Sequence, residues 1–174
     1  MKILASKFVL IAAILMFRLS FASVADDIGY ATSESIPVGV AQILNQKQFS
    51  KNYQVVTHLN PFYVTGNFTG RGRLDTAILI KNRASGDIGV AIIHQGSSSA
   101  IVLGAGQNFG NGGSNFDWMD AWHTWDKVSK VEKGVGEADP PKLIGDAILL
   151  IKTEAASGLI YWDGKKYQWY QQGD

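Results

Sequence analysis

The feature that most limits what this chain can become is the run DTAILIK at residues 75–81, which is apolar on both faces when extended. A strand of that kind has no face for water, so it must lie centrally in a sheet with cover on both sides. Residues 146–153 (DAILLIKT) read as another core strand. After the first run, residues 89–94 (GVAIIH) follow a polar turn containing Gly86 and Asp87, and residues 100–103 follow a turn of serine and glycine. Three such runs at hairpin spacing make an antiparallel meander. Residues 53–57 and 62–65 supply two further strands.

Ahead of the strands, Ile36, Val40, Ile43 and Leu44 recur at i, i+4, i+7 and i+8 around Pro37. Proline costs little in a first helical turn, where its missing N–H has no partner anyway, so one short helix ending near Phe49 is expected. The chain closes with a hairpin, residues 157–162 and 165–171, around Asp163 and Gly164. Asp-Gly suits the two positive φ angles of a type I′ turn, which sets Trp162 opposite Lys165, Ile160 opposite Tyr167 and Gly158 opposite Trp169. One face then carries all three aromatic rings, with a cation–π contact at the turn and an indole over the glycine. The expected fold is α+β, mainly β: one N-terminal helix against an antiparallel sheet of roughly six strands.

Residues 1–25 have the layout of a secretory signal: Lys2 and Lys7, an apolar run over residues 8–17, then small residues over 22–25. The run is shorter than the roughly 20 residues that cross a bilayer. It therefore reads as removed, after Ala22 or Ala25, leaving residues 26–174 as a single periplasmic or secreted domain with no membrane span. Loss of Lys2, Lys7 and Arg18 leaves 13 basic residues against 15 acidic ones, which argues against nucleic acid as a partner. The absence of cysteine excludes disulfides, a thiol nucleophile, zinc–thiolate sites and a lipidated cysteine. No cofactor or metal is expected.

Residues 104–115 hold five glycines and read as a mobile surface loop. Gly104, Gly106 and Gly110 miss the dinucleotide-binding spacing by one place. Residues 117–127 (DWMDAWHTWDK) leave two readings open. A helix places Trp118, Trp122 and Trp125 on one face, whereas a strand places Trp118 and Trp122 on one side and Trp125 on the other. Residues 128–139 are charged and expected to loop out before Pro140 and Pro141.

Residues 66–75 read GNFTGRGRLD. This resembles the calcium loop of FG-GAP and integrin-type repeats, with its phenylalanine, three glycines, closing aspartate and following apolar strand. Beyond these residues, the mature region and its final hairpin resemble a group of small exported bacterial proteins of unassigned activity. The resemblance places the ligand positions on Asn67, Thr69, Arg71 and Asp75. Only Asp75 is anionic, and Arg71 sets a permanent cation where the ion needs a carboxylate, so useful calcium affinity is not expected. Two alternatives follow: the Arg71 guanidinium replaces the ion, or Arg71 points to solvent and the glycines hold the turn.

The polar candidates for catalysis are His58, His94, His123, Asp117, Asp120, Asp126 and Glu154. His123 has Asp120 and Asp126 three residues to either side, a spacing that suits orientation of an imidazole as general base. No nucleophile elbow, HExxH or second histidine at ligand spacing accompanies it, and a lone histidine among tryptophans is more often a packing residue. Glu154 reads as a buried partner for a lysine at a strand end. The aromatic residues are the better functional signal: Trp118, Trp122, Trp125, Tyr161, Trp162, Trp169 and Tyr170 form two clusters whose exposed members would carry binding energy. The first reading is an exported, non-catalytic binding module, inhibitor- or immunity-like, for a protein or glycan of the cell envelope. The others are a hydrolase of envelope polymers using His123, Asp120 or Asp126, and a structural envelope component.

Overall fold

The computed structural model describes residues 29–134, 136 and 138–173. The leader expected over residues 1–25 lies outside them. Where one helix is expected there are three short ones, α1 (Tyr30–Glu34), α2 (Val38–Leu44) and α3 (Lys47–Ser50). Pro37 is the N-cap of α2, and Gln46 turns to extended backbone (ψ 133), so the helical pattern of residues 36–44 does not run on.

The strands are β1 (Tyr53–Val55), β2 (Tyr63–Gly66), β3 (Asp75–Asn82), β4 (Ile88–Ile93), β5 (Ile101–Gly104), β6 (Ala121–Trp125), β7 (Ala147–Lys152), β8 (Ala156–Trp162) and β9 (Tyr167–Gly173). They form two antiparallel sheets, not one of six strands: β1 to β5 in the first, and β6-β7-β8-β9 in the second. In the first sheet, β1 and β2 lie end to end along the same edge of β3, Val55 opposite Ile80 and Tyr63 opposite Ile78. The chain between them bulges out, with Val56 N–H donating to the Leu79 carbonyl and Leu79 N–H to that of Phe62.

A single sheet offers β3 and β7 no cover of their own, whereas packing two sheets face to face covers one side of each. Period-two alternation then sends Ala77 and Leu79 of β3, with Ile148 and Leu150 of β7, into the core between the sheets. Ile78 and Ile80 face the other way, onto Val40, Ile43 and Leu44 of the helices. Leu149, with Leu159 and Tyr170, meets Val131 and Leu143 from the long segment joining β6 to β7. Each fully buried aliphatic side chain contributes roughly 1.5–3 kcal/mol. The tryptophan-rich stretch resolves as the strand β6: Trp118 and Trp122 join the inter-sheet core, Trp125 the outer cluster.

The final hairpin pairs Trp162 with Tyr167, Ile160 with Trp169 and Gly158 with Gln171. The register is thus two residues away from the type I′ expectation, and the turn has four residues. The reason is Asp163, whose Oδ1 accepts Lys165 N–H at 2.8 Å and Lys166 N–H at 2.9 Å, while its Oδ2 accepts from Gln168 at 2.7 Å. A slip of two keeps every side chain on its expected face. Lys165, however, leaves the strand for the turn, so the cation–π contact proposed for it has no place in this register.

Those hydrogen bonds, led by the Lys166 N–H, hold the Asp163 carboxyl well below its ordinary value, at about 2. A carboxylate whose pKa falls on folding adds stability that is present above the unfolded value of 3.8 and is lost as the pH falls through about 2. A carbon-detected NMR titration should find the Asp163 midpoint near 2, and a midpoint near 3.8 would remove the capping account.

The strands β2 to β5 and β6 to β9 are two four-stranded meanders of one plan. DTAILIK (75–81) and DAILLIK (146–152) occupy the same second place in each, and the residues facing the common core, 77 and 79 against 148 and 150, correspond. Among the described residues, no helix is long and apolar enough to cross a membrane.

Candidate functional site

Loop 66–75 is held in its turn by hydrogen bonds from the protein itself. Gly70 and Gly72 take left-handed backbone (φ 73 and 72), and Gly70 N–H donates to the Asn67 carbonyl at 3.1 Å. The oxygens at the expected ligand positions are already occupied by protein donors. Asn67 Oδ1 accepts Gly72 N–H at 3.0 Å, Asp75 Oδ1 accepts Gln95 N–H at 2.9 Å, and Asp75 Oδ2 accepts the Thr69 hydroxyl at 3.4 Å. Phe68 is fully buried between the sheets. Arg71 is exposed and makes no hydrogen bond or ion pair among the described residues, which corrects the reading in which its guanidinium replaces calcium. Nor do the glycines act alone, because Asn67 N–H donates to Asp146 Oδ2 at 2.7 Å and Asp146 N–H to the Asn67 carbonyl at 3.0 Å. Among the described residues no group of three or more histidine, aspartate or glutamate side chains is placed to hold a metal. About 1 mM calcium, or excess chelator, is accordingly expected to leave the thermal midpoint unchanged to within about 1 °C; a rise of several degrees in calcium would contradict this account.

The catalytic candidates are not brought together. His123 is exposed on β6, with Nδ1 2.9 Å from the carbonyl of neighbouring Thr124 and its ring stacked on Trp125. Asp120 faces away from it: Oδ1 accepts the backbone N–H and the hydroxyl of Thr153, Oδ2 lies 3.4 Å from Lys152, and these bonds, the Thr153 N–H first, lower its pKa. Asp126 Oδ1 accepts Val128 N–H at 2.9 Å in a local turn. Glu154 is no buried partner for a lysine; it stands exposed in the β7–β8 turn with φ 60. His58 and Asp117 are also exposed. His94, at the end of β4, has Nε2 2.8 Å from the Tyr167 hydroxyl and its ring edge-on to Trp162, tying the two sheets at one end. The Tyr167 phenol is pushed up in pKa by burial and, secondarily, by Asp75.

The aromatic candidates divide. Trp122 and Tyr170, 3% and 7% exposed, belong to the interior, with their polar atoms spent on the Pro61 and Ala138 carbonyls. They drop out of the expected surface. Trp118, Trp125, Tyr161, Trp162 and Trp169 are half-buried.

Trp169 organises the glycine-rich segment that the sequence left as a mobile loop. Its indole lies over Gly158, as expected, where an added Cβ would fall 2.0 Å from the ring, and against Gly112, where the distance would be 2.8 Å, while a Cβ at Gly110 would fall 2.7 Å from Trp169 Cβ and 3.2 Å from the ring. Only glycine lets backbone approach a ring so closely from both sides. Phe109 and Trp118 meet it edge-on at centroid distances of 6.4 and 6.1 Å, and Trp118 Nε1 donates to the Gly112 carbonyl at 3.1 Å.

The seated loop forms one wall of a groove of about 610 Å³ that follows β9 from Lys166 to Gln171. Asn108 and Asn111 stand on that wall, and Ala138, Asp139 and Pro141 on the other. The lining is mostly amide, carboxylate and aromatic. A second cleft of about 510 Å³ lies between α2 and the β4–β5 turn, with Val40, Ile43, Leu74 and Ile93 among glutamine, serine and threonine side chains. The sequence suggests docking through the aromatic end and the glycine loop together; it has no signal for the 138–141 wall, which is distant in the chain. Comparison with protein-family models, curated proteins and solved structures finds no match to this chain.

Proposed function

We propose that this chain is an exported, non-catalytic binding module of the cell envelope, inhibitor- or immunity-like, that holds its partner in the groove along β9. One observation carries the reading: two loop segments, 108–111 and 138–141, stand apart over about 610 Å³ instead of packing together. That volume is in the range of ligand-binding clefts. Tyr161 and Trp169 line it, and such rings supply contact area at small entropic cost. Among the described residues no histidine lines the groove, which favours binding over hydrolysis.

The test uses the full chain as bait on envelope extract, beside an Asn111→Arg variant whose larger side chain fills the groove from an exposed position. Material held by the parent chain should fall by about tenfold or more with the variant, the effect of losing about 1.4 kcal/mol. Equal retention by the two, or retention of nothing by either, would sink the reading.

A further inference from the structure

Among the described residues, every sheet edge is blunted except the one that faces the groove. The β1/β2 edge is broken by the excursion between Val56 and Phe62. β5 has four residues, and its last, Gly104, turns to left-handed backbone and bridges to Gln107. β6 abuts β2, with the Thr124 hydroxyl donating to the Thr65 carbonyl at 2.8 Å. β9 is seven residues long and pairs with β8 alone. Long edges of this kind are ordinarily protected, because their unpaired N–H and C=O groups template another strand.

The register tells which groups point outward. Asp163 N–H donates to the Lys166 carbonyl at 3.1 Å, which makes 163 and 166 a hydrogen-bonded pair. Such pairs alternate along an antiparallel ladder, so the next are Tyr161 with Gln168 and Leu159 with Tyr170. Tyr167 and Trp169 lie between them, and their N–H and C=O groups face away from β8, into the groove. Neither residue's backbone meets another hydrogen-bonding group among the described residues.

We infer, resting on the binding-module reading, that the occupant of the groove is an extended polypeptide segment that adds to β9 as a fifth, antiparallel strand of the second sheet. Donor and acceptor from one residue, repeated two residues on at about 6.8 Å, match another backbone in extended conformation; an oligosaccharide has no such repeat. An antiparallel strand runs its C-terminal end toward Lys166, with Lys165 beside it in the exposed turn, so an acidic side chain or terminal carboxylate is favoured there. The Asn108–Asn111 and Ala138–Pro141 walls take the side chains that alternate to either face.

The probe is a displayed library of random linear nonapeptides panned on the full chain, with hydrogen exchange read at single amides. In the free protein, Tyr167 and Trp169 amides should exchange about tenfold or more faster than those of Gln168 and Tyr170. An enriched peptide should slow them, lose about tenfold in affinity when N-methylated at alternate residues but not between them, and weaken on Lys166→Glu. Uniform tolerance of N-methylation, or peptides that leave both amides unprotected, overturns the inference. If no peptide is enriched while a glycan array is retained in an Asn111-dependent way, the polypeptide class falls and the binding module stands. Protection of the same amides by concentration-dependent dimerisation makes the occupant a second copy, and overturns it too. Retention of nothing by any probe ends both.

Discussion

Gly145→Ala should cost this domain about 3 kcal/mol, the upper end of what overpacking usually does. A Cβ built at Gly145 falls 2.3 Å from the Asn67 carbonyl oxygen, 2.5 Å from Gly70 N and 2.5 Å from the Phe68 oxygen. All three are backbone atoms, so no rotamer change relieves the contact. Loop 66–75 must lift away from residues 144–146. That breaks the paired Asn67–Asp146 hydrogen bonds and pulls at Phe68, which is fully buried between the sheets. For a domain of this size the thermal midpoint should fall by about 6–12 °C. Gly39→Ala is the control: a Cβ added at this position of α2 meets nothing within 4 Å, and removing a helical glycine should raise stability by about 0.5–1 kcal/mol. A Gly145→Ala protein as stable as the parent would mean that the two loops are not in contact.

Trp169→Ala should cost about 3 kcal/mol, the low end for a tryptophan because the ring is only half-buried at the rim of the core. The effect should also be local. The indole is the surface on which Gly110 and Gly112 rest and against which Phe109 and Trp118 set their edges. Without it, hydrogen exchange over residues 108–113 should quicken more than global unfolding explains, and the groove should lose its wall. Urea unfolding gives the first number and exchange the second. Gly158→Ala works from the other side of the same ring, 2.0 Å from the added Cβ, and should loosen the same loop without deleting an aromatic group. A Trp169→Ala protein that loses less than about 1 kcal/mol and keeps loop protection would show that the ring is not the anchor.

The contrast between these two sites explains which parts were legible beforehand. The tryptophan over Gly158 was readable because both residues belong to one hairpin, where pairing is a local matter. The Gly145 contact was not, since Asn67 and Gly145 are separated by most of a sheet, and nothing in IGDAIL names its partner. The correspondence of DTAILIK with DAILLIK was in plain view and would have pointed to two similar meanders in place of one sheet. Of the two readings of Arg71, the one in which its guanidinium replaces calcium fails for a different reason, and the one that turns it to solvent agrees with its exposure. A loop resembling a calcium site draws attention to the charge at each ligand position, whereas here Asn67 and the backbone amides of Gly70 and Gly72 close the turn. His123, Asp120 and Asp126 are near one another in sequence, but an extended strand and its flanking turns send the three side chains to separate partners.

From the residues alone came the strand content, the doubly covered character of β3, the core position of β7, the faces of the final hairpin and the indole lying over Gly158, because each depends on side-chain periodicity over a few positions. Only the tertiary structure decided that the strands divide between two sheets, that Asp163 lengthens the turn by two residues, and that segments 108–111 and 138–141 stand on either side of one groove along β9. Those outcomes depend on contacts between residues far apart in the chain, where the free energy of packing is shared among many partners and no short pattern records which of them will meet.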